Sequence, residues 1–350
     1  MKDVGIVGLP LSGKTTLYNA LTRAGIPTGG AVGKASVAAV PVPDPRVDVL
    51  AELERSRKRV HAQVRFVDVA GLSAAGASGK GGLSAQGLGA LREVDALALV
   101  LAAFDGGTEP VEAAADLSLE LTVADLVSVE SGAEKAAKRA KAGVKGAASE
   151  AETLSRAREL LESGTPLRAA GWEPEQLKLL RNFSPLTLKP ALAVVNLGED
   201  QIGEAAARAA TVEEALDVPA VALPAALEAE AAELAPEESA AFLAEYGIER
   251  GGLDQVIGAA WRLLDLETFF TTGEDETRAW EVHRGATAPE AAGRIHSDLE
   301  RGFIRAEVIS YDDLVAAGGW DAARAKGLLH SEGKSYVVGE GDCLHIRFNV

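Results

Sequence analysis

The feature that most narrows what this chain can fold into is a string near its start, Gly8-Leu9-Pro10-Leu11-Ser12-Gly13-Lys14-Thr15. It has the form Gly-x-x-x-x-Gly-Lys-Thr, and its context fits: Val4–Val7 reads as a short apolar strand before it. Thr16–Ala24, with Leu17, Ala20 and Leu21 at helical spacing, reads as a helix after it. Gly8 and Gly13 permit backbone angles that turn successive N–H groups inward, towards phosphate oxygens. The helix start adds the positive end of its dipole. Gly8, Leu9, Pro10, Leu11, Ser12, Gly13, Lys14, Thr15 and Thr16 are therefore the residues expected around the phosphates of a nucleotide. Lys14 is expected against the β- and γ-phosphates in a catalytic role, and the Thr15 hydroxyl on Mg²⁺.

Two later strings complete such a site. Phe66-Val67-Asp68-Val69-Ala70-Gly71 is a strand ending in Asp and then Ala-Gly. Asp68 is expected to hold Mg²⁺ through water, and the Gly71 N–H to meet the γ-phosphate as a second catalytic group. Asn196-Leu197-Gly198-Glu199 follows the apolar strand Pro190–Val195, where a base-reading loop is expected. The guanine reader at this place is Asn-Lys-x-Asp, whose Asp accepts from the guanine N1–H and amino group. Here Leu197 replaces Lys and Glu199 replaces Asp. The longer carboxylate is displaced along the base edge, which weakens strict GTP specificity. Asn196, Leu197 and Glu199 are thus the expected base contacts, with ATP or GTP as the ligand.

The chain has 350 residues, 25% charged and 47% hydrophobic, enough for two or three domains of ordinary soluble type. Its single cysteine, Cys343, excludes an intrachain disulfide and a thiolate metal site. No apolar run nears the roughly 20 residues that span a bilayer, and the start lacks a signal-peptide core. A cytoplasmic protein with no membrane partner is expected. The net charge of −17 opposes general nucleic-acid binding, so no DNA partner is expected. A local basic face remains possible, and Lys135, Lys138, Arg139, Lys141 and Lys145 form the sharpest one.

Short strands at Val64–Val69 and Ala96–Ala103 alternate with helices, the mark of a parallel sheet. Gly25–Pro45 and Ser73–Gly89 read as glycine-rich loops. Glu134–Glu162 and Glu173–Asn182 read as helices of an inserted hairpin. Glu228–Glu245 is an acidic, alanine-rich helical region. After Leu266 a small α+β domain is expected. Its strands are Thr268–Phe270, Arg278–Val282, Ala306–Ile309, Ser335–Val338 and Leu344–Phe348, around one helix, Ala288–Leu299.

These strings together resemble the YchF family, the Obg-like ATPases. Further matching strings are Val40-Pro41-Val42-Pro43-Asp44-Pro45-Arg46, Leu91-Arg92-Glu93-Val94-Asp95-Ala96 and Lys189-Pro190. The C-terminal match is closer still, through Thr268-Phe269-Phe270-Thr271-Thr272-Gly273-Glu274, Gly302–Ile309 and the ending His345–Val350. The resemblance implies an α/β P-loop NTPase G domain in two parts, residues 1–128 and 187–265. It also implies an inserted α-helical hairpin at 129–186 and a C-terminal β-grasp (TGS) domain at 266–350. ATP preference and action with the ribosome or ribosomal RNA are implied as well.

Departures from the family bear on hydrolysis. Leu11 and Ser12 stand where the family has Asn and Val, which removes the residue on which potassium activation would rest. The first switch loop, Pro27–Ala39, is short, with only Thr28 and Ser36 as hydroxyls. The second keeps Gly76-Ala77-Ser78. The loop Asp105–Pro110 lacks the family's histidine, and Leu72 cannot orient water by hydrogen bonding. Two readings stay open: a slow Mg²⁺-dependent triphosphatase acting as a switch, or a hydrolysis-deficient paralogue that works by docking. The five histidines show no ligand spacing, and Cys343 is expected to be a small buried hydrophobe.

Overall fold

The computed structural model describes residues 1–25, 36–69, 84–104 and 109–349. Strand β1 (Asp3–Gly8) runs into the glycine loop, and α1 (Lys14–Thr22) leaves it. Then come β2 (Ser36–Pro41), α2 (Pro45–Leu53), β3 (Lys58–Val60) and β4 (Gln63–Asp68). α3 (Ala85–Glu93), β5 (Ala96–Ala102), α4 (Pro110–Lys141), α5 (Ala147–Glu162) and α6 (Pro174–Arg181) follow. Next are β6 (Ala191–Asn196), α7 (Ala205–Leu216), β7 (Ala220–Leu223), α8 (Ala225–Ala232), α9 (Pro236–Glu245) and α10 (Gly252–Leu263). The last stretch holds β8 (Leu266–Thr271), β9 (Glu276–His283), α11 (Ala288–Ile295), α12 (Ser297–Arg301) and β10 (Phe303–Ser310). It ends with α13 (Tyr311–Ala317), α14 (Trp320–Ala325), β11 (His330–Glu332) and β12 (Asp342–Phe348).

The chain forms two units: Lys2–Ala38 with Arg65–Ala260, and Met1 and Ala39–Val64 with Trp261–Val350. The first contains the G domain. Its sheet has the order β2-β4-β1-β5-β6-β7, with β1 parallel to β4 and β5, and β5, β6 and β7 parallel in turn. β5 and β6 are buried on both faces, and Leu97, Leu99, Leu101, Ala193 and Val195 supply the core. The strands that follow β1 first lie on one side of it, and β5 and later strands on the other. The carboxyl end of β1 is therefore the topological switch point, where ligands of open α/β sheets bind.

The first helix of the hairpin begins well before the expected Glu134. α4 is a single helix of 32 residues that serves two cores. Leu117 and Leu121 pack under the sheet, whereas Val129, Ala133 and Ala136 pack against Leu154, Ala157 and Leu161 of α5. The root of the hairpin is tied by Asp125 of α4. Its buried carboxylate accepts bonds of 2.7 Å from the Leu186 N–H, the Thr187 N–H and the Thr187 hydroxyl.

Elsewhere the local chemistry also redraws the expected elements. The stretch read as a loop, Gly25–Pro45, holds β2; residues 26–35 lie outside the described ones. The end of the second glycine-rich stretch is α3, whose start is capped by Ser84 accepting from the Gly87 N–H at 3.0 Å. The acidic region is two helices, because Pro236 starts α9 and disfavours helix before it.

In the other unit the sheet order is β11-β10-β12-β8-β9-β3. β8 and β12 run parallel in the middle, with α11 packed on one face over Phe269, Val308 and Leu344. This is the β-grasp arrangement. Ser335–Val338 is not a strand; Val337 makes one isolated bridge to Thr287, and β11 pairs with β10 instead. Two helices, α13 and α14, were not expected. Ser310 caps the first by accepting from the Asp313 N–H at 3.1 Å, and Gly318, at φ 92°, ends it. The segment Ala39–Val64 contributes α2 and an edge strand, since β3 pairs parallel with β9. Arg46 fixes that segment: it bonds Asp44 at 2.8 Å and Glu340 at 2.6 Å and lies 5.0 Å from the Phe270 ring centre. Among the described residues no helix is long and apolar enough to cross a membrane.

Candidate nucleotide site

The loop between β1 and α1 is shaped by two close approaches. A Cβ on Gly8 would lie 2.3 Å from the Val100 carbonyl oxygen of β5, so only glycine lets β1 sit that close to its neighbour at this point. Gly13 has φ +90° and is the N-cap of α1; a Cβ there would lie 2.1 Å from Asn196 Nδ2. Between them Leu11 adopts φ +63° with its side chain 89% exposed. This is the left-handed region, which costs a non-glycine residue about 1–2 kcal/mol. Asn, which the resemblance implies at this position, enters that region more readily than Leu does.

Three expected phosphate and metal residues are brought together. The Lys14 ammonium is buried and donates to the Gly8 and Leu9 carbonyl oxygens at 2.9 and 2.7 Å. Burial pulls its pKa down to about 8, and the Asp68 charge opposes this. The Thr15 hydroxyl donates to Asp68 Oδ2 at 3.3 Å. Burial raises the Asp68 carboxyl above the usual carboxylate range, against the Thr15 hydrogen bond and the Lys14 charge. A hydroxyl and a carboxylate side by side are two hard oxygen donors. That set fits Mg²⁺, which keeps several waters and takes few protein ligands. Among the described residues no cluster of three or more His, Cys, Asp or Glu offers a different metal site.

Asn196 does more than end a strand. Its side chain is buried, donates to the Ser12 carbonyl oxygen at 3.1 Å and accepts from the Ala225 N–H at 3.0 Å. It therefore joins the phosphate loop, the end of β6 and the start of α8. The spacing of a base-reading loop does not reveal this bridging role. Leu197 turns its side chain into the core, and its N–H donates to the Leu223 carbonyl at 3.0 Å. Glu199 is exposed at the start of a 3₁₀ turn, Glu199–Glu204, with its carboxylate open to solvent. Pro10 is exposed and Thr16 half-buried on the first turn of α1. Ser12 Oγ is buried without a hydrogen-bond partner among the described residues, a feature with no signature in the sequence. Gly71, Leu72, Gly76-Ala77-Ser78, Thr28 and the loop 105–108 lie outside the described residues.

A strand, a glycine-bounded loop closing on a buried lysine, and a Thr–Asp pair at the switch point of a parallel sheet define a P-loop NTPase. The chain is 42% identical over 366 residues to a Haemophilus influenzae protein named "Ribosome-binding ATPase YchF", covering 99% of each. The chain belongs to the YchF family. A Bacillus subtilis protein of the same name is also 42% identical, over 362 residues and 99% of each chain. The model described as "50S ribosome-binding GTPase" matches residues 3–126. The YchF-GTPase C-terminal model, described as "Protein of unknown function (DUF933)", matches 266–349. Among solved structures, the Schizosaccharomyces pombe YchF GTPase superposes with a TM-score of 0.86 at 28% identity, over 99% of this chain and 97% of that one.

Proposed function

We propose that this protein is a slow, Mg²⁺-dependent nucleoside triphosphatase that prefers ATP to GTP and works as a switch on the ribosome. The observation that carries the reading is the assembly of Lys14, Thr15 and Asp68 at the end of β1 and β4. Lys14 is already held against the loop by two carbonyl oxygens, so a β- or γ-phosphate oxygen can take the ammonium over with little side-chain ordering. Thr15 and Asp68 would hold Mg²⁺, which supplies neutralisation of the charge that develops on the phosphates. The loop N–H groups and the start of α1 orient the triphosphate. ATP preference is supported by Glu199 in place of the guanine-reading Asp.

Ribosome docking is supported by the printed names of the relatives and by the hairpin. Lys135, Lys138, Arg139, Lys141 and Lys145 are all exposed, and among the described residues only Arg139 has a carboxylate partner, Glu150. The rate is tested by phosphate release. Unaided turnover is expected well below the roughly 1–100 s⁻¹ of kinases, since Leu72 offers no hydrogen bond to water. It is also expected to stop with chelator. Turnover above about 1 s⁻¹, or a rate indifferent to chelator, would overturn the reading.

A further inference from the structure

Several arginines of the C-terminal unit are each neutralised by acids of their own. Arg284 pairs with Asp265 and Glu267 at 3.0 and 3.1 Å, Arg294 with Glu281, and Arg301 with Asp298. Arg278 lies 4.1 Å from the Trp280 ring centre and 3.7 Å from Glu276. Three others, Arg305, Arg347 and Arg324, sit together at one end of the outer face of the sheet. Arg305 of β10 and Arg347 of β12 are direct cross-strand partners, and Arg324 of α14 reaches Glu307 beside them. The Arg305 side chain has no hydrogen bond or ion pair with any described residue.

The acids nearby do not balance them. Glu307 lies within the cluster and is shared by Arg347 at 3.2 Å, Arg324 at 3.5 Å and His345 at 3.7 Å. Asp321 meets only Arg324, at 3.3 Å, from a fully exposed position where solvent screens it. Like charges placed directly opposite on a ladder destabilise it. Towards the other end the same face is closed, with Ile309 and Cys343 buried and α13 packed on β10 and β12. At the open end Arg305, Arg324 and Arg347 are all exposed. The result is a small cationic platform on a molecule of charge −17.

We infer that this platform, Arg305, Arg347 and Arg324 around Glu307, docks the phosphate backbone of ribosomal RNA. The inference rests on the ribosome reading above and names the surface for it. Guanidinium forks match phosphate geometry and are weakly hydrated, so they suit a polyanion better than a scattered lysine does. An acidic protein that must meet RNA needs such a local field against its average charge.

The test uses the full chain with Arg305→Gln and Arg347→Gln together, and a control with Arg284→Gln and Arg294→Gln, two paired arginines. Affinity for a labelled ribosomal RNA fragment is measured from about 50 to 200 mM salt, beside co-sedimentation with ribosomes and ATP binding. The platform variant is expected to lose about tenfold in RNA affinity and to lower the salt slope by about one to two. The control and ATP binding should not change. Equal affinity and slope in wild type and platform variant, while both sediment with ribosomes, would overturn the platform and leave the ribosome reading standing. Weaker sedimentation of the platform variant with unchanged RNA affinity would overturn RNA in favour of a ribosomal protein. Failure of the wild type to bind either ribosomes or RNA would overturn both.

Discussion

Lys14→Ala is expected to cut triphosphate affinity by about a hundredfold while leaving the fold intact. The ammonium is the one cation in the described cradle, and its hydrogen bonds to charged oxygens are worth about 1.5–3 kcal/mol each. Every 1.4 kcal/mol is about tenfold in affinity. The lysine's own partners, the Gly8 and Leu9 carbonyls, stand where β1 meets the loop, and removing the buried ammonium also removes its desolvation cost, so stability should fall little. Calorimetric titration with a non-hydrolysable ATP analogue, beside a urea melt of the free protein, separates the two effects. Affinity within about threefold of wild type would remove Lys14 from the phosphate contacts.

Gly13→Ala should be the more damaging change, because it strikes the fold and the site together. The added methyl would meet Asn196 Nδ2 at 2.1 Å, and the φ of +90° is unfavourable for any side chain. Side-chain ends usually give way, but Asn196 is buried and held by both Ser12 and Ala225. Moving it leaves a buried carbonyl and a buried N–H unpaired, at about 1–3 kcal/mol each, on top of the backbone strain. A loss of about 3 kcal/mol or more in urea unfolding is expected, with nucleotide binding abolished. A double change, Gly13→Ala with Asn196→Ala, should regain none of the binding. Stability and binding close to wild type in Gly13→Ala would show that the loop is not clamped by Asn196.

The parts of the site that were legible in the sequence are those encoded by neighbours in the chain. Gly8, Gly13, Lys14 and Thr15 form one turn, and Asp68 ends a strand whose register beside β1, Ile6 opposite Asp68, follows from the sheet. The bridge from Asn196 to Ser12 was not legible, because it joins residues far apart in sequence through a side chain that also suits a base loop. β2 was missed for a different reason: Ser36-Val37-Ala38-Ala39-Val40-Pro41 is built from small residues and carries almost no alternation. The long α4 was read only in its charged half. Its first half has too few polar positions to mark one face, since Leu119, Val123 and Val127 are apolar and exposed. The cationic platform depends on cross-strand pairing of β10 with β12 and on the place of α14, which no local pattern encodes.

Base preference is the most direct test of the nucleotide site, since it joins the loop of Asn196 and Glu199 to the chemistry at Lys14, Thr15 and Asp68. Affinities for ATP and GTP should be measured by calorimetry on the wild type, with Mg²⁺ and again with chelator. ATP is expected to bind at least as tightly as GTP, and both to weaken when Mg²⁺ is withdrawn. GTP binding tenfold tighter than ATP, about 1.4 kcal/mol, or triphosphate affinity indifferent to Mg²⁺, would contradict this expectation.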